Sequence, residues 1–289
     1  MNSYALIILA DVLLAVILAC QKKYQGKAGT SAKASLIYTI LSGTFSAAIF
    51  FVINGCTIHI TTYSAVMATL LSIAVSISVF GGFAIMQKGN MSLYSLFLMS
   101  GGMVVPYVYG VLFLKEELNI ARVLGLILIV TAIILANFTK DKVDKKQLAV
   151  CVLVFLVNGA ASVISKVHQI SEASKWVSSS DFVFLVAVSK IVISLIVLPF
   201  MKIKTDQALI SSVKPLIWIV IIAAAADGTS YMLQLMGAVN LPATVLYPLV
   251  TGGTIVLSAL TDFTVYREKL SLKQWLSVII AFVGTCMFV

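Results

Sequence analysis

Four ionisable side chains stand inside or at the edge of long apolar runs and mark where chemistry could be done: Asp11, Lys190, Asp227 and Asp262. Leaving such a group unpaired in hydrocarbon costs about 3 kcal/mol or more, so each needs a partner or a task. Around Asp227 the chain reads Asp-Gly-Thr-Ser-Tyr-Met-Leu-Gln. On a helix Asp227, Tyr231 and Gln234 share one face, because residues three and four apart stack above one another. An acid, a phenol and an amide on one stripe could hold an amine or a polar metabolite. Gly228 beside the acid weakens the helix locally and can free backbone carbonyls. The plainer alternative is that Asp227 and Lys190 neutralise each other as a staple between neighbouring helices, and the spacing leaves both readings open. Asp11 divides the same way, between carrying a coupling proton and facing headgroups or capping a neighbouring helix. Asn158 is the polar residue nearest to the place of Asp11 in the second half. Asp262 stands about one turn before Arg267, and a local ion pair is its simplest account. The candidate binding or coupling set is Asp11, Asn158, Lys190, Asp227, Tyr231 and Gln234.

A second set concerns backbone rather than charge. Gly101, Gly102, Pro106, Pro248, Gly252 and Gly253 interrupt two apolar runs, either as hinges or as small-residue seams that let helices approach closely. Tyr94, Tyr107, Tyr109 and Tyr247 could line a cavity or anchor the chain at the membrane interface. His59 and His168 fall in or beside loops and are expected to be exposed, without a catalytic or metal role. Cys20, Cys56, Cys151 and Cys286 show no CxxC and no His/Cys spacing, so neither a disulfide, a metal nor a cofactor is expected. Enzymatic work on a lipid-linked substrate would need clustered His, Asp or Glu at the interface, and no such cluster is present in the sequence.

Composition names the solvent these residues must live in. The chain has 289 residues, 61% of them hydrophobic and only 11% charged, with a mean hydropathy of +1.08. Such a balance belongs to a protein of the lipid bilayer. The net charge of +9 does not point to nucleic acid, because the basic residues sit in short knots between apolar runs. Those runs fall near 3–20, 34–55, 64–86, 92–113, 119–138, 147–165, 181–201, 214–236, 241–265 and 272–289. About 20 helical residues span a hydrocarbon core roughly 30 Å thick. With no water there to satisfy backbone amides, only helices or a closed barrel can cross. The absence of strict alternation excludes the barrel. The expected fold is an all-α membrane protein of ten transmembrane helices. Ile17-Leu18-Ala19-Cys20 loosely resembles a lipoprotein cleavage site, but the preceding stretch has no positive charge and carries Asp11, so a retained first helix is expected.

The spans repeat. Gly89 to Asn137 and Met236 to Val289 carry the same order of features: a hydroxyl residue and a glycine pair in mid-run (Ser100-Gly101-Gly102, Thr251-Gly252-Gly253), then a charged knot (Lys115-Glu116-Glu117-Leu118, Arg267-Glu268-Lys269-Leu270). Glu116 and Glu268 read as interfacial helix punctuation. The chain divides into a five-helix unit at 1–139, a charged cytoplasmic linker at 140–146 and a second five-helix unit at 147–289. An odd number of spans per unit makes the two units inverted relative to the membrane, an arrangement that recurs in secondary transporters. Fifteen Lys and Arg fall in odd-numbered loops against four (Lys115, Arg122, Lys166, Lys175) in even ones. That asymmetry places the odd loops in the cytoplasm and both termini outside.

The repeated phrases resemble the paired EamA-type domains of the drug/metabolite transporter superfamily. Gly89, Pro106, Glu116 to Leu118 and Gly125 carry the resemblance in the first half; Gly237, Pro248, Glu268 to Leu270 and Gly284 carry it in the second. The first copy departs in having Leu96 where the second has Pro248. Lys166 is a possible trace of a basic residue near the end of its helix. What the resemblance implies is a carrier with a central cavity lined by helices 1, 3, 4, 6, 8 and 9, and with cytoplasmic termini, opposite to the charge count. The expected function is secondary active transport of a small polar metabolite or amine by alternating access, with proton coupling as one option. Partners are then the small-molecule substrate and the lipid bilayer, with no nucleic acid; a homodimer is compatible with the sequence. The host is expected to be a bacterial cytoplasmic membrane. The alternatives are a non-transporting subunit or sensor, or the membrane enzyme considered above.

Overall fold

The computed structural model describes residues 2–29, 31–86, 91–137, 144–201, 212–267 and 269–289. Lys88, Gly89, the linker residues 140–143, the loop lysines Lys202 and Lys204, and Glu268 lie outside them. Among the described residues ten α-helices follow one another: α1 Ser3–Ala28, α2 Ala32–Ile53, α3 Thr62–Met86, α4 Met91–Leu112, α5 Ile120–Asn137, α6 Lys145–Ile170, α7 Ser179–Val197, α8 Ile217–Asn240, α9 Ala243–Thr264 and α10 Leu272–Cys286. No strand occurs among the described residues. Nine of these helices, α1 to α9, are long and apolar enough to cross a membrane. The tenth has 15 residues, about 22 Å of helix, and falls short of a full crossing. This is a multi-pass membrane protein, and its surface agrees. Ile8, Val52, Leu112, Trp218 and Ile222 are all exposed, which is the normal state of an apolar side chain whose solvent is lipid.

Two helices overrun the apolar stretches that announce them. The first continues past Cys20 through Lys22, Lys23 and Lys27 and stops only at Gly29, whose φ of 81° ends it. Nothing between Gln21 and Ala28 breaks a helix, and lysine stems can lie along apolar surface while the ammonium reaches outward. The sixth likewise runs on to Ile170, carrying Lys166 and His168 into the protein. Side-chain caps fix other starts: Asn2, Ser31 and Asp144 accept from the first turns of α1, α2 and α6, and Ser178 and Ser271 form capping boxes on α7 and α10.

The main neighbours are α1 with α8, α6 with α3, α4 with α6, α1 with α9, α2 with α8, α3 with α7, α2 with α7, α4 with α9, and α5 with α10. Helix α9 also packs against α10. The two charged knots share a backbone solution. Lys115 and Arg267 have left-handed φ values of 54° and 53°. In each case the preceding amide, of Leu114 or Tyr266, reaches back five residues at 3.4 Å, to the carbonyl of Tyr109 or Thr261.

Glycines set the closest crossings. A methyl group at Gly101 would fall on the main-chain carbonyl of Phe155, and one at Gly159 would meet Val105 and the carbonyl of Gly101. The backbones of α4 and α6 therefore touch. In the other half Gly252 faces Thr285 of α10, and Gly253 faces the carboxylate of Asp11 on α1. Pro106 and Pro248 sit inside α4 and α9. Asp262 does not find its partner one turn away. It pairs with Lys22 at 2.7 Å, and that ammonium lies 4.5 Å above the ring of Tyr266. The Tyr266 hydroxyl donates to the carbonyl of Ala19 at 2.6 Å. Because α1 overruns its apolar stretch, Lys22 reaches the end of α9 and makes the ion pair long-range.

Candidate functional site

A cavity of about 200 Å³ opens between α1, α3, α6, α7, α8 and α9. Its polar wall is built by Asn158, Ser162 and Ser165 on α6, Lys190 on α7, and Asp227, Ser230, Tyr231 and Gln234 on α8, with Tyr247 of α9. Helical periodicity brings the α8 residues to one face, as their spacing requires. The rest of the lining is largely apolar, with Leu14, Leu71, Val75 and Leu246 among its residues. Helix α7 takes the place expected for α4, from which no residue lies on the lining. α4 is instead packed closely on α6 through Gly101 and Gly159.

The charged pair dominates the site. Lys190 Nζ lies 3.7 Å from Asp227 Oδ2, and the two side chains are 29% and 49% exposed. This distance is an ion pair without a short hydrogen bond. The same two residues also bound a second hollow of about 20 Å³, behind which stand Ser42, Gly43 and Ser46 of α2. That volume suffices for about one water molecule. The pair ties α7 to α8 and faces both spaces.

The remaining polar groups are held in place by their neighbours. Tyr231 and Ser165 hydroxyls meet at 2.8 Å. Asn158 donates to the carbonyl of Leu98 at 2.8 Å and Ser162 to that of Gly102 at 3.2 Å, binding α6 to α4. Gln234 donates to Ser230 Oγ at 3.3 Å, and Ser230 donates to the carbonyl of Ala10 at 2.8 Å. The Tyr247 hydroxyl donates to the carbonyl of Ser162. Of the four tyrosines singled out in the sequence, only Tyr247 is on the lining; Tyr109 stacks on Phe113, and Tyr94 packs over Gly82.

Asp11 stands apart from the hollow. It is 4% exposed, its Oδ1 has no hydrogen-bond partner among the described residues, and its carboxylate abuts Gly253. A path of contacts nevertheless joins it to the cavity. Gln234 and Ser230 both line the hollow, and Ser230 holds the carbonyl of the residue just before Asp11.

A clamp holds the turn between α8 and α9. Pro242 precedes α9 and offers no side-chain cap. Glu116, from the knot after α4, supplies one instead: its two carboxylate oxygens accept from the amides of Ala243 at 2.7 Å and Thr244 at 2.8 Å. A carboxylate at a helix N-terminus satisfies orphan amides and meets the positive end of the helix dipole. Lys166 does the converse at the end of α8. Its ammonium, on a side chain that is nearly all buried, donates to the carbonyls of Ala238 at 2.5 Å and Leu241 at 2.7 Å. Glu116 is punctuation, as its sequence suggests, but it punctuates a helix of the other half. Gly110 leaves room for it, since a methyl group there would lie 2.6 Å from Glu116 Oε2.

His168 differs from expectation. It is fully buried, at 0% exposure. Its ring stacks on Phe182 at 3.6 Å and on Tyr63 at 6.0 Å. Nε2 meets Ser64 Oγ at 2.8 Å, and Nδ1 meets the Gln169 amide at 2.9 Å. It lies in the helix α6 that overruns its apolar stretch, and so docks between α3 and α7. His59 is exposed, 3.6 Å from Asp181. Among the described residues no group of His, Cys, Asp and Glu could hold a metal.

Residues 148–289 match the EamA-like transporter family. A solved structure described only as "Crystal structure of protein" superposes with a TM-score of 0.74 at 13% identity, covering 99% of this chain and 96% of that one. At that identity the likeness is one of fold alone. No curated protein matches the sequence.

Proposed function

We infer, from a chain whose residues 148–289 are a domain of the EamA-like transporter family, that this membrane transporter moves a small polar metabolite or amine by alternating access. The observation that carries the reading is the Lys190–Asp227 pair, open to a polar cavity among helices of both halves. A pair so exposed stabilises the fold by about 0–1 kcal/mol. Keeping it within spans that strongly disfavour charge therefore needs a reason other than stability. The cavity volume of about 200 Å³ is below the roughly 300–1,000 Å³ of pockets for drug-sized ligands, which favours a small cargo. Two five-helix units inverted in the membrane would place this cavity where each unit can rock against the other.

The first step of the test is a thermal-shift screen of purified protein against amines, amino acids, nucleosides and sugars, since a ligand of the native state raises its apparent stability. Uptake of the stabilising compound into proteoliposomes then follows. Asp227→Asn is expected to abolish it, and unimpaired uptake removes Asp227 from the site. Asp11 supports a proton-coupled version of the same mechanism. Protonation and release would switch a charge on and off in the α1–α9 seam, next to the carbonyl that Ser230 holds. In Asp11→Asn, uptake driven by a pH gradient is expected to fail while exchange of labelled for unlabelled cargo continues. Gradient-driven uptake at the unsubstituted rate ends that role.

A further inference from the structure

Resting on the transport reading of the cavity, we propose that the overrunning end of α1, from Gln21 to Ala28, is a latch that shuts the hollow off from the odd-numbered loops, with the Lys22–Asp262 pair as its releasable catch. Position comes first. Leu14 is the α1 residue on the lining of the hollow, and Leu246 and Tyr247 are those of α9. Lys22 stands about 12 Å beyond Leu14 along α1, and Asp262 about 22 Å beyond Tyr247 along α9. The contacts of Asp11 with Gly253 and of Lys22 with Asp262 advance together toward the odd-loop ends of both helices. The pair therefore bridges the α1–α9 seam on the stretch between the hollow and that end of the bundle.

The latch has a fixed flank and a loose one. Toward α2, the Tyr24 hydroxyl donates to the carbonyl of Ala34 at 3.0 Å, and its ring lies 4.9 Å from that of Tyr38. Tyr24 is buried in a cluster with Val213, Leu216 and Val220. A buried hydroxyl stripped of its acceptor is costly, so this end of α1 stays with α2. Toward α9 the ties are of another kind. The Lys22 ammonium meets Asp262 at 2.7 Å and lies above the Tyr266 ring, whose hydroxyl holds the carbonyl of Ala19. The two charged side chains are 39% and 36% exposed. Water can take over both charges, and breaking such a pair costs little. Nearer the middle of the seam, the Asp11 carboxylate fills the space at Gly253 and leaves the helices no play. The seam then pivots at Asp11–Gly253 and parts at Lys22–Asp262, about 15 Å further along. Such a swing opens the hollow toward the odd-numbered loops and leaves the Glu116 clamp in place.

The experiment reads which side of the membrane reaches the hollow, and it needs no cargo. Ser165 lines the cavity; Ser165→Cys in an otherwise cysteine-free, full-length protein is timed in its reaction with an impermeant methanethiosulfonate, in right-side-out and inside-out vesicles. Asp262→Asn and Lys22→Gln are each expected to speed the reaction from the odd-loop side by about fivefold, the ratio that matches an exposed ion pair, with the even-loop rate unchanged. Exchanging the charges, Lys22→Asp with Asp262→Lys, is expected to bring the slow rate back. Salt screens an exposed pair, so raising it should speed the odd-side reaction wherever Lys22 and Asp262 are intact, an arm that requires no latch variant to fold. Equal odd-side rates with and without the pair overturn the latch and leave the cavity reading intact. A gain from both sides, or a charge exchange as fast as the single variants, overturns it in the same way. If Ser165→Cys reacts from neither side in any of these proteins, water does not reach the hollow and the transport reading itself falls.

Discussion

At the scale of single residues, this molecule distinguishes sharply between glycines that look alike in the sequence. Gly253 faces the Asp11 carboxylate with no space for a methyl group, whereas Gly26, inside α1, has nothing within 4 Å. Gly253→Ala is expected to cost about 1–3 kcal/mol through forced displacement of packed neighbours. Gly26→Ala should gain up to about 1 kcal/mol from helix propensity. Unfolding temperatures in detergent, read side by side, check both signs. Periodicity alone made Asp227, Tyr231 and Gln234 legible as one face, because their relation is internal to a single helix. Ser162 and Ser165 were harder to single out, since their position depends on how α6 is turned toward a shared hollow. His168 was misread for a related reason: it is buried by Phe182 and Tyr63, which come from other helices.

At the scale of elements, the α8–α9 turn depends on groups that are remote in sequence. Removing the Glu116 side chain leaves the amides of Ala243 and Thr244 without their acceptor. Glu116→Ala is expected to destabilise the protein by about 2–4 kcal/mol, the cost of stranding buried donors that had a charged partner. Glu117→Ala, at an exposed neighbour, should stay within about 0.5 kcal/mol of the unsubstituted protein. Chemical unfolding of the two variants distinguishes a cap from a merely charged knot. The existence and order of the ten helices could be read from apolar runs of spanning length. Their true ends could not, because hydropathy falls at Lys22 and Lys166 while the backbone continues unbroken. Only the ends of α1 and α6 show what those lysines do: one reaches Asp262 and the other holds the carbonyls that finish α8.

At the scale of the whole molecule, the charge count gains contrast from the fold. Lys166, reckoned among four basic residues of the even-loop side, is buried and engaged with main-chain carbonyls, which leaves three to meet lipid headgroups there. Impermeant maleimide applied to intact cells should therefore label a cysteine at Lys175→Cys, in an otherwise cysteine-free protein, and spare one at Ser271→Cys. The reverse pattern would turn the molecule over. The two charged knots suggested a repeat in the sequence, and Lys115 and Arg267 within them share a left-handed backbone conformation. The six helices around the hollow were only partly foreseeable, because the sequence does not show where main chains meet, as α4 and α6 do at Gly101 and Gly159. That contact has a mechanical meaning. Where Gly101 and Gly159 let two backbones meet, neither rod can slip along the other without a collision, so α4 and α6 travel as a single strut. Freedom to reshape the hollow is then left to joints lined by longer, more forgiving side chains, and the joint between α7 and α8, where a lysine and an aspartate at arm's length face two hollows, is one of them.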